Sequence, residues 1–343
     1  MQTFYTDDHR LHHGRCELID GQLKPCFEMP QRAYHILDRV KERKLGEVLE
    51  PADFGRAPIE RIHTKAYLDF FEGAWARWEK QGKDGDLMPF TWPARTLREI
   101  LPQDNLHAQL GYYSFDGGAP ITAGTWHACY CSAQVALSGW DEVRNGARTA
   151  FALCRPPGHH AAADLMGGYC FLNNAAIACQ AALDQGAERI AVLDVDYHHG
   201  NGTQSIFYDR ADVLFCSIHG DPNFEFPYFL GYADETGAGA GEGFNLNLPL
   251  ASGSPWAVYG AALETACKRI SAYSPDLVVV SLGVDTFEQD PISQFKLKSE
   301  DYLRMGEHIA ALGCPTLFVM EGGYAVAEIG INAVNVLEGF EGR

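Results

Sequence analysis

The sequence predicts an α/β domain with a mostly parallel sheet flanked by helices. Short, apolar, β-branched runs alternate with stretches of helical composition through the second half of the chain, which is the pattern of βαβ units. With 343 residues and 46% hydrophobic content, the chain can bury one large core. Each apolar run also ends in residues able to do chemistry, as expected where an open sheet binds ligands at the carboxyl ends of its strands.

Taken in order, residues 32–44 and 66–80 have helical composition. Between 81 and 123 no strand or helix period is readable, and so long a connection inside a compact domain is usually functional or an interaction element. Strands are expected over 150–154, 189–195, 213–218, 277–282 and 316–320, and helices over 174–185, 257–271 and 301–312. Gly186 and Gly313 close the first and last of these helices. No repeat, low-complexity tract or linker divides the chain, so 1–343 is read as a single domain.

Composition narrows the function classes. A formal net charge of −18 argues against nucleic acid and anionic membrane surfaces and favours cationic ligands. The N-terminus lacks a basic and apolar leader, and no run approaches the roughly 18 apolar residues of a membrane span, so a soluble, cytoplasmic protein is expected. The ten cysteines are scattered, with Cys129 and Cys131 the one C-x-C pair and no C-x-x-C, and are read as mostly reduced core residues.

The strand exits carry the chemistry. They read Arg155-Pro156-Pro157-Gly158-His159-His160, then Asp194 to His199, then His219 to Asp221, then Gly283 to Asp285, then Glu321 to Tyr324. Residues two apart on a strand share a face, so Asp194, Asp196 and His198 can converge. Asp196 and His198 with Asp285 make two carboxylates and one imidazole around an ion with a position left for water, the form of a catalytic metal site. Zinc is the first expectation, and Fe2+, Mn2+ or Co2+ would suit the oxygen-rich set. Asp194 would hydrogen-bond an imidazole and fix its tautomer. His159 and His160, on a rigid turn, can divide proton transfer between them. His199 is expected to be structural or to support the site from outside. Tyr324, behind Gly322 and Gly323, can donate to a developing oxyanion.

These motifs, with Gly167 to Asn174 and Asn201 to Gln204, resemble the arginase/deacetylase superfamily across nearly the whole chain. The stretch 281–293 and Asp7-Asp8-His9 resemble bacterial acetylpolyamine amidohydrolases, relatives of histone deacetylases. The resemblance implies the single-domain arginase/deacetylase fold and a Zn2+ site of Asp196, His198 and Asp285. It implies His160 as general base and acid, His159 as its electrostatic partner, and Tyr324 polarising the amide carbonyl. It implies a narrow tunnel walled by Tyr169 and Phe226. It also implies a structural K+ near the main chain of Asp194, Asp196, His198 and Ile218 with the Ser217 side chain, and a second near Phe207, Arg210 and Val213.

The same resemblance makes 81–123 an inserted element used in a homodimer, with Asp116 and Glu17 receiving the distal ammonium of a small cationic substrate. Gly117, Gly118 and His107 stand where some relatives carry acids, and Asn201 stands where many histone deacetylases carry an Asp against the catalytic imidazole. The implied reaction is hydrolysis of N-acetyl amides of small aliphatic polyamines, the acetylputrescine and acetylcadaverine class, by a metal-activated water, giving acetate and amine. Acetyl-lysine on a protein is the alternative substrate, an arginase-like guanidine hydrolase is a further alternative, and a non-catalytic metal-binding module is the alternative of another class.

Overall fold

A computed structural model describes residues 1–19, 21–101 and 103–343. In chain order it runs β1 (Gln2–Phe4), a 3-10 helix (Asp7–Leu11), β2 (Glu17–Ile19), β3 (Gln22–Lys24), α1 (Gln31–Arg43), β4 (Val48–Leu49), α2 (Ala57–Glu60), α3 (Lys65–Glu79), α4 (Leu106–Tyr112) and α5 (Thr125–Arg144). It continues through β5 (Thr149–Ala152), α6 (Asn174–Asp184), β6 (Ile190–Asp194), α7 (Asn201–Phe207), β7 (Val213–Gly220), β8 (Asn245–Leu250), α8 (Trp256–Tyr273), β9 (Leu277–Leu282), α9 (Asp301–Ala310), β10 (Thr316–Met320) and α10 (Ile329–Glu341).

Eight of the strands form one sheet in the order β4-β1-β5-β10-β9-β6-β7-β8, every pairing parallel. The five strands whose exits carry the chemical residues, β5, β10, β9, β6 and β7, are consecutive neighbours. Their carboxyl ends therefore open onto one place, as an open α/β sheet requires of a binding site. β2 and β3 pair separately as an antiparallel hairpin.

Alternation along the strands builds two cores. Ala150, Ala152, Ile190, Val192, Leu317 and Val319 face the layer of α3, α5 and α6. Phe151, Leu153, Ala191, Leu193, Phe318 and Met320 face the layer of α1, α8, α9 and α10. A parallel sheet covered on both faces reads as continuous apolar runs, which is why these strands stood out in the sequence.

Several elements were not anticipated. α5 buries Ser132, Gln134 and Ser138 as well as its apolar residues, so its sequence has no single apolar stripe. β1 and β4 are three and two residues long, too short for a period to register. Segment 81–123 contains α4, whose Asn105 cap accepts the Ala108 N–H at 3.0 Å. Its ends are tied by Leu87 and Ile121, which exchange backbone hydrogen bonds at 2.9 and 3.0 Å. All ten cysteines are free. Among the described residues no helix is long and apolar enough to cross a membrane.

Candidate active site

β6 ends at Asp194 and the chain continues over its edge through Asp196 and His198, while the neighbouring β9 delivers Asp285. The ligand atoms of Asp196, His198 and Asp285 all lie within 4.8 Å of one another, and all three residues are buried. His198 Nδ1 is 3.0 Å from Asp285 Oδ2 and 3.5 Å from Asp196 Oδ1. Backbone donors fix the carboxylates: Gly322 N–H to Asp196 Oδ2 at 2.8 Å, His198 N–H to Asp196 Oδ1 at 2.9 Å, and Tyr197 N–H to Asp285 Oδ1 at 2.7 Å. A Cβ on Gly322 would stand 2.5 Å from Asp196 Oδ2 and 2.6 Å from Asp285 Oδ2, so only glycine lets the chain pass.

The donor set fits a divalent cation. Burial and the nearby Asp196 carboxylate push Asp285 up, while Asp196 is held down against its own burial by His159 and His198. Two buried carboxylates thus compete for one positive environment, and a dication would relieve that competition.

His159 and His160 leave β5 on the turn from Arg155. The Glu321 carboxylate accepts the Gly158 and His159 N–H groups at 2.6 and 3.1 Å, locking the turn to the exit of β10. His159 Nδ1 meets Asp194 Oδ2 at 3.0 Å. Burial opposes a charge there, but Asp196 and Asp194 win and push His159 up to about 10. His160 goes the other way, well below the usual imidazole range, through burial and then the neighbouring His159 and His198. Its Nδ1 lies 2.7 Å from Asn201 Oδ1, and Asn201 Nδ2 reaches the His160 carbonyl at 3.5 Å. With the Asn201 oxygen as acceptor, Nδ1 carries the hydrogen and Nε2 keeps its lone pair.

Tyr324 is fixed by its backbone. Asp290 accepts the Tyr324 and Ala325 N–H groups at 2.7 and 3.2 Å, and Gly323 takes φ +128° to turn the chain. Burial raises the Tyr324 phenol well above its usual range, with Asp196 and Asp285 adding to the effect against Arg32. The phenol therefore stays a hydrogen-bond donor.

Aromatic rings stand around the histidines and Tyr324. Phe226 stands edge-on to His160, centroids 5.1 Å apart at 89°, and lies 6.1 Å from the His198 ring. Phe115 stacks on Phe226 at 5.8 Å, and Tyr169 packs against Tyr324 at 5.5 Å. Gly168, with φ +52°, passes so close that a Cβ would lie 2.4 Å from His160 Cδ2. Glu17 accepts the Tyr169 hydroxyl and the Phe27 N–H, each at 2.6 Å, and burial raises its pKa. Asp116 accepts the Gly118 and Gly168 N–H groups at 2.9 and 3.0 Å, and burial pushes it up to about 6. Both carboxylates adjoin the expected tunnel wall, but both are engaged in shaping it.

The other expected residues separate into groups. Asp194 pairs in register with Ser217, which brings the first set of proposed K+ residues together at the ends of β6 and β7; Ser217 Oγ is 2.8 Å from His219 Nδ1. Phe207, Arg210 and Val213 lie at the opposite end of β7, where the Arg210 N–H donates to the Phe207 carbonyl at 3.0 Å. His199 contacts Gln204 Oε1 at 3.0 Å and packs against the His219 ring, centroids 4.6 Å apart and tilted by 56°. His107 contacts Lys83 and packs between Trp78 and Phe90.

Sequence reasoning missed the network behind Tyr324. Arg155 donates to both Glu28 oxygens at 2.7 and 2.9 Å and to the His9 and His12 carbonyls at 2.7 and 2.9 Å. Glu28 also binds Arg32 at 2.9 Å. The four-residue spacing of Glu28 and Arg32 was the one available signal.

Residues 26–340 match the histone deacetylase domain family. Acetylpolyamine amidohydrolase 1 of Pseudomonas aeruginosa is 67% identical over the whole chain and 99% of its own length. Acetylpolyamine amidohydrolase of Mycoplana ramosa is 51% identical over the full length of both. A crystal structure of acetylpolyamine aminohydrolase from Burkholderia pseudomallei superposes with a TM-score of 0.93 at 41% identity, over 99% of this chain and 98% of that one. The chain belongs to the histone deacetylase family of hydrolases, within the group of full-length relatives named acetylpolyamine amidohydrolases.

Proposed function

We propose that the chain is a zinc-dependent deacetylase that hydrolyses N-acetyl amides of small aliphatic polyamines, the acetylputrescine and acetylcadaverine class, to acetate and free amine. The observation that carries the reading is the buried ligand cluster of Asp196, His198 and Asp285 with the His160 ring 6.1 Å from that of His198 and the chain leading to Tyr324 tied to Asp196 through the Gly322 N–H. A divalent ion held by those three residues supplies, when bound, polarisation of the amide carbonyl and a water of lowered pKa. Zinc suits a site of three protein ligands with one open position, and the same donors accept Fe2+, Mn2+ or Co2+.

His160 takes the proton of the attacking water at Nε2 and returns it to the departing nitrogen. His159, held by Asp194, keeps a positive charge beside it and orients the ring pair, whose centroids are 4.0 Å apart. The Tyr324 hydroxyl donates to the oxyanion as the carbonyl carbon becomes tetrahedral. Phe226 and Tyr169 hold a slim alkyl chain between apolar walls and exclude water from the reacting carbon.

A cationic substrate is supported by the net charge of −18 and by Asp116 and Glu17 behind the Tyr169 wall, whose negative field remains although their oxygens are committed. The names of the relatives point the same way. A homodimer through 81–123 is part of the proposal, supported by the exposure of Phe90, Leu97 and Ile100 on that segment. So is structural K+ at the two groups around Ser217 and around Phe207, Arg210 and Val213.

The deciding experiment measures kcat/KM for acetylputrescine, acetylcadaverine, acetylspermidine and acetyl-lysine peptides on one sample of known metal content. The polyamines should lead. Preference for the peptides would overturn the substrate assignment, and absence of acetate release from all four would overturn the deacetylase reading.

A further inference from the structure

Away from the strand ends, the side chains of Asp8, His127 and Cys131 meet at the surface. His127 and Cys131 are four apart on α5 and so lie one above the other on the same helix face. Asp8 comes from the 3-10 helix over Asp7–Leu11. Asp8 Oδ2 lies 3.0 Å from His127 Nε2 and 3.7 Å from Cys131 Sγ, and Cys131 Sγ lies 3.5 Å from His127 Nε2.

That triangle has the dimensions of one face of a tetrahedral site. Ordinary Zn–N, Zn–O and Zn–S lengths place neighbouring ligands about 3.4 Å apart for nitrogen with oxygen and about 3.6 Å apart where sulfur is one of them. Closing on an ion would therefore move these atoms by a few tenths of an ångström. His127 Nε2 and Cys131 Sγ both meet the same Asp8 Oδ2, so one ion at the centre would draw on all three side chains at once.

We infer that Asp8, His127 and Cys131 form a second divalent-metal site, separate from Asp196, His198 and Asp285, that takes a borderline-soft ion such as Zn2+ and leaves its fourth position to solvent. The mixed sulfur, nitrogen and oxygen set suits zinc or cobalt and discriminates against Mg2+ and Ca2+, which prefer all-oxygen ligands. Side chains of His127 and Asp8 are about half exposed, which gives an ion a way in. Asp53 and Glu50 add negative charge around Cys131. Binding of a cation displaces the thiol proton, as it does wherever a Cys becomes a ligand.

An ion here would tie the 3-10 helix more firmly to α5, elements more than a hundred residues apart that already meet through Asp8 with His127 and, at the cap of the turn, His12 with Thr125. The same turn supplies the His9 carbonyl, and its C-terminal cap the His12 carbonyl, that hold Arg155. Occupancy therefore stabilises the network behind the active site without contacting it.

Cobalt titration of the full chain tests this, because a thiolate on Co2+ gives a near-ultraviolet charge-transfer band that a site without sulfur does not. Wild type should show the band, and Cys131→Ser should lose it together with one equivalent of bound Co2+, keeping the wild-type acetate-releasing activity. Asp8→Asn, an exposed change that leaves the fold intact, should keep the thiolate band but require more Co2+ to develop it. No band in wild type, or an undiminished band or metal count in Cys131→Ser, overturns the assignment.

Discussion

The guanidinium of Arg32 lies 4.8 Å over the ring of Tyr324 and donates to the carbonyls on either side of the Gly322 bend, Glu321 and Gly323, at 2.6 Å each. The residue that presents the phenol is thereby held from its ring face and from its backbone at once. Removing the hydroxyl should cost what an oxyanion donor is worth. Tyr324→Phe is expected to lower kcat by roughly 10²- to 10³-fold with little change in KM. Arg32→Leu should lower kcat as well, by letting the ring drift. Acetate release measured across substrate concentration separates the two parameters; wild-type turnover in Tyr324→Phe would remove the phenol from the mechanism.

Glu28 neutralises Arg32 and Arg155 in a buried cluster, so its loss strands two guanidinium groups. Burial works against the charge on Glu28, but Arg155 and Arg32 outweigh it and hold the carboxyl down at about 2, against an ordinary 4.5. A depressed carboxyl pKa adds stability that is present above about pH 4.5 and is lost as pH falls toward 2. Glu28→Gln should therefore unfold more easily than wild type by about 3 to 5 kcal/mol at pH 7. The gap between the two should narrow below pH 4.5. Denaturant titrations at a series of pH values check both parts, and a pH-independent gap would show that charge pairing is not what Glu28 contributes.

The strand exits were legible because each apolar run in a two-faced parallel sheet ends abruptly in polar residues. Asp196, His198 and Asp285 converge, as their places just beyond the ends of the neighbouring β6 and β9 imply. β8 escaped because its buried Asn245 and Asn247 break the apolar run; both amides turn in to Gln204 Oε1. Arg32 escaped for a different reason. Its acceptor at Gly323 is 291 positions away, and the four-residue spacing from Glu28 signals only the ion pair. Glu17 and Asp116 are expected to receive a substrate ammonium, and in the structure they accept from the Tyr169 hydroxyl and the Gly168 N–H, whose residues both have left-handed backbone.

Asn201 orients His160 without charging it. Its amide oxygen 2.7 Å from Nδ1 orients the ring but brings no negative charge, and burial with two imidazole neighbours keeps His160 low. Replacing the amide by a carboxylate favours the protonated ring, so the His160 pKa should rise in Asn201→Asp. A base must be unprotonated to act, so the acid limb of kcat/KM against pH moves to higher pH. Profiles of the two proteins that superpose on the acid side would mean that His160 is not the titrating base.

Segment 81–123 is anchored at its base by Leu87 and Ile121, while Phe90, Leu97 and Ile100 remain exposed on it. Apolar side chains gathered on one segment of an acidic surface are a candidate contact between two copies of the chain. Phe90→Ser with Ile100→Ser should shift the protein from dimer to monomer in sedimentation velocity. Catalysis separates the roles further. The ligand cluster is built within one chain, so the monomer should retain metal and hydrolyse a short acetylated monoamine at the wild-type kcat. If the partner narrows the mouth, KM for acetylputrescine rises on dissociation while that kcat holds. A wild-type chain that sediments as a monomer at all concentrations would refute the interface.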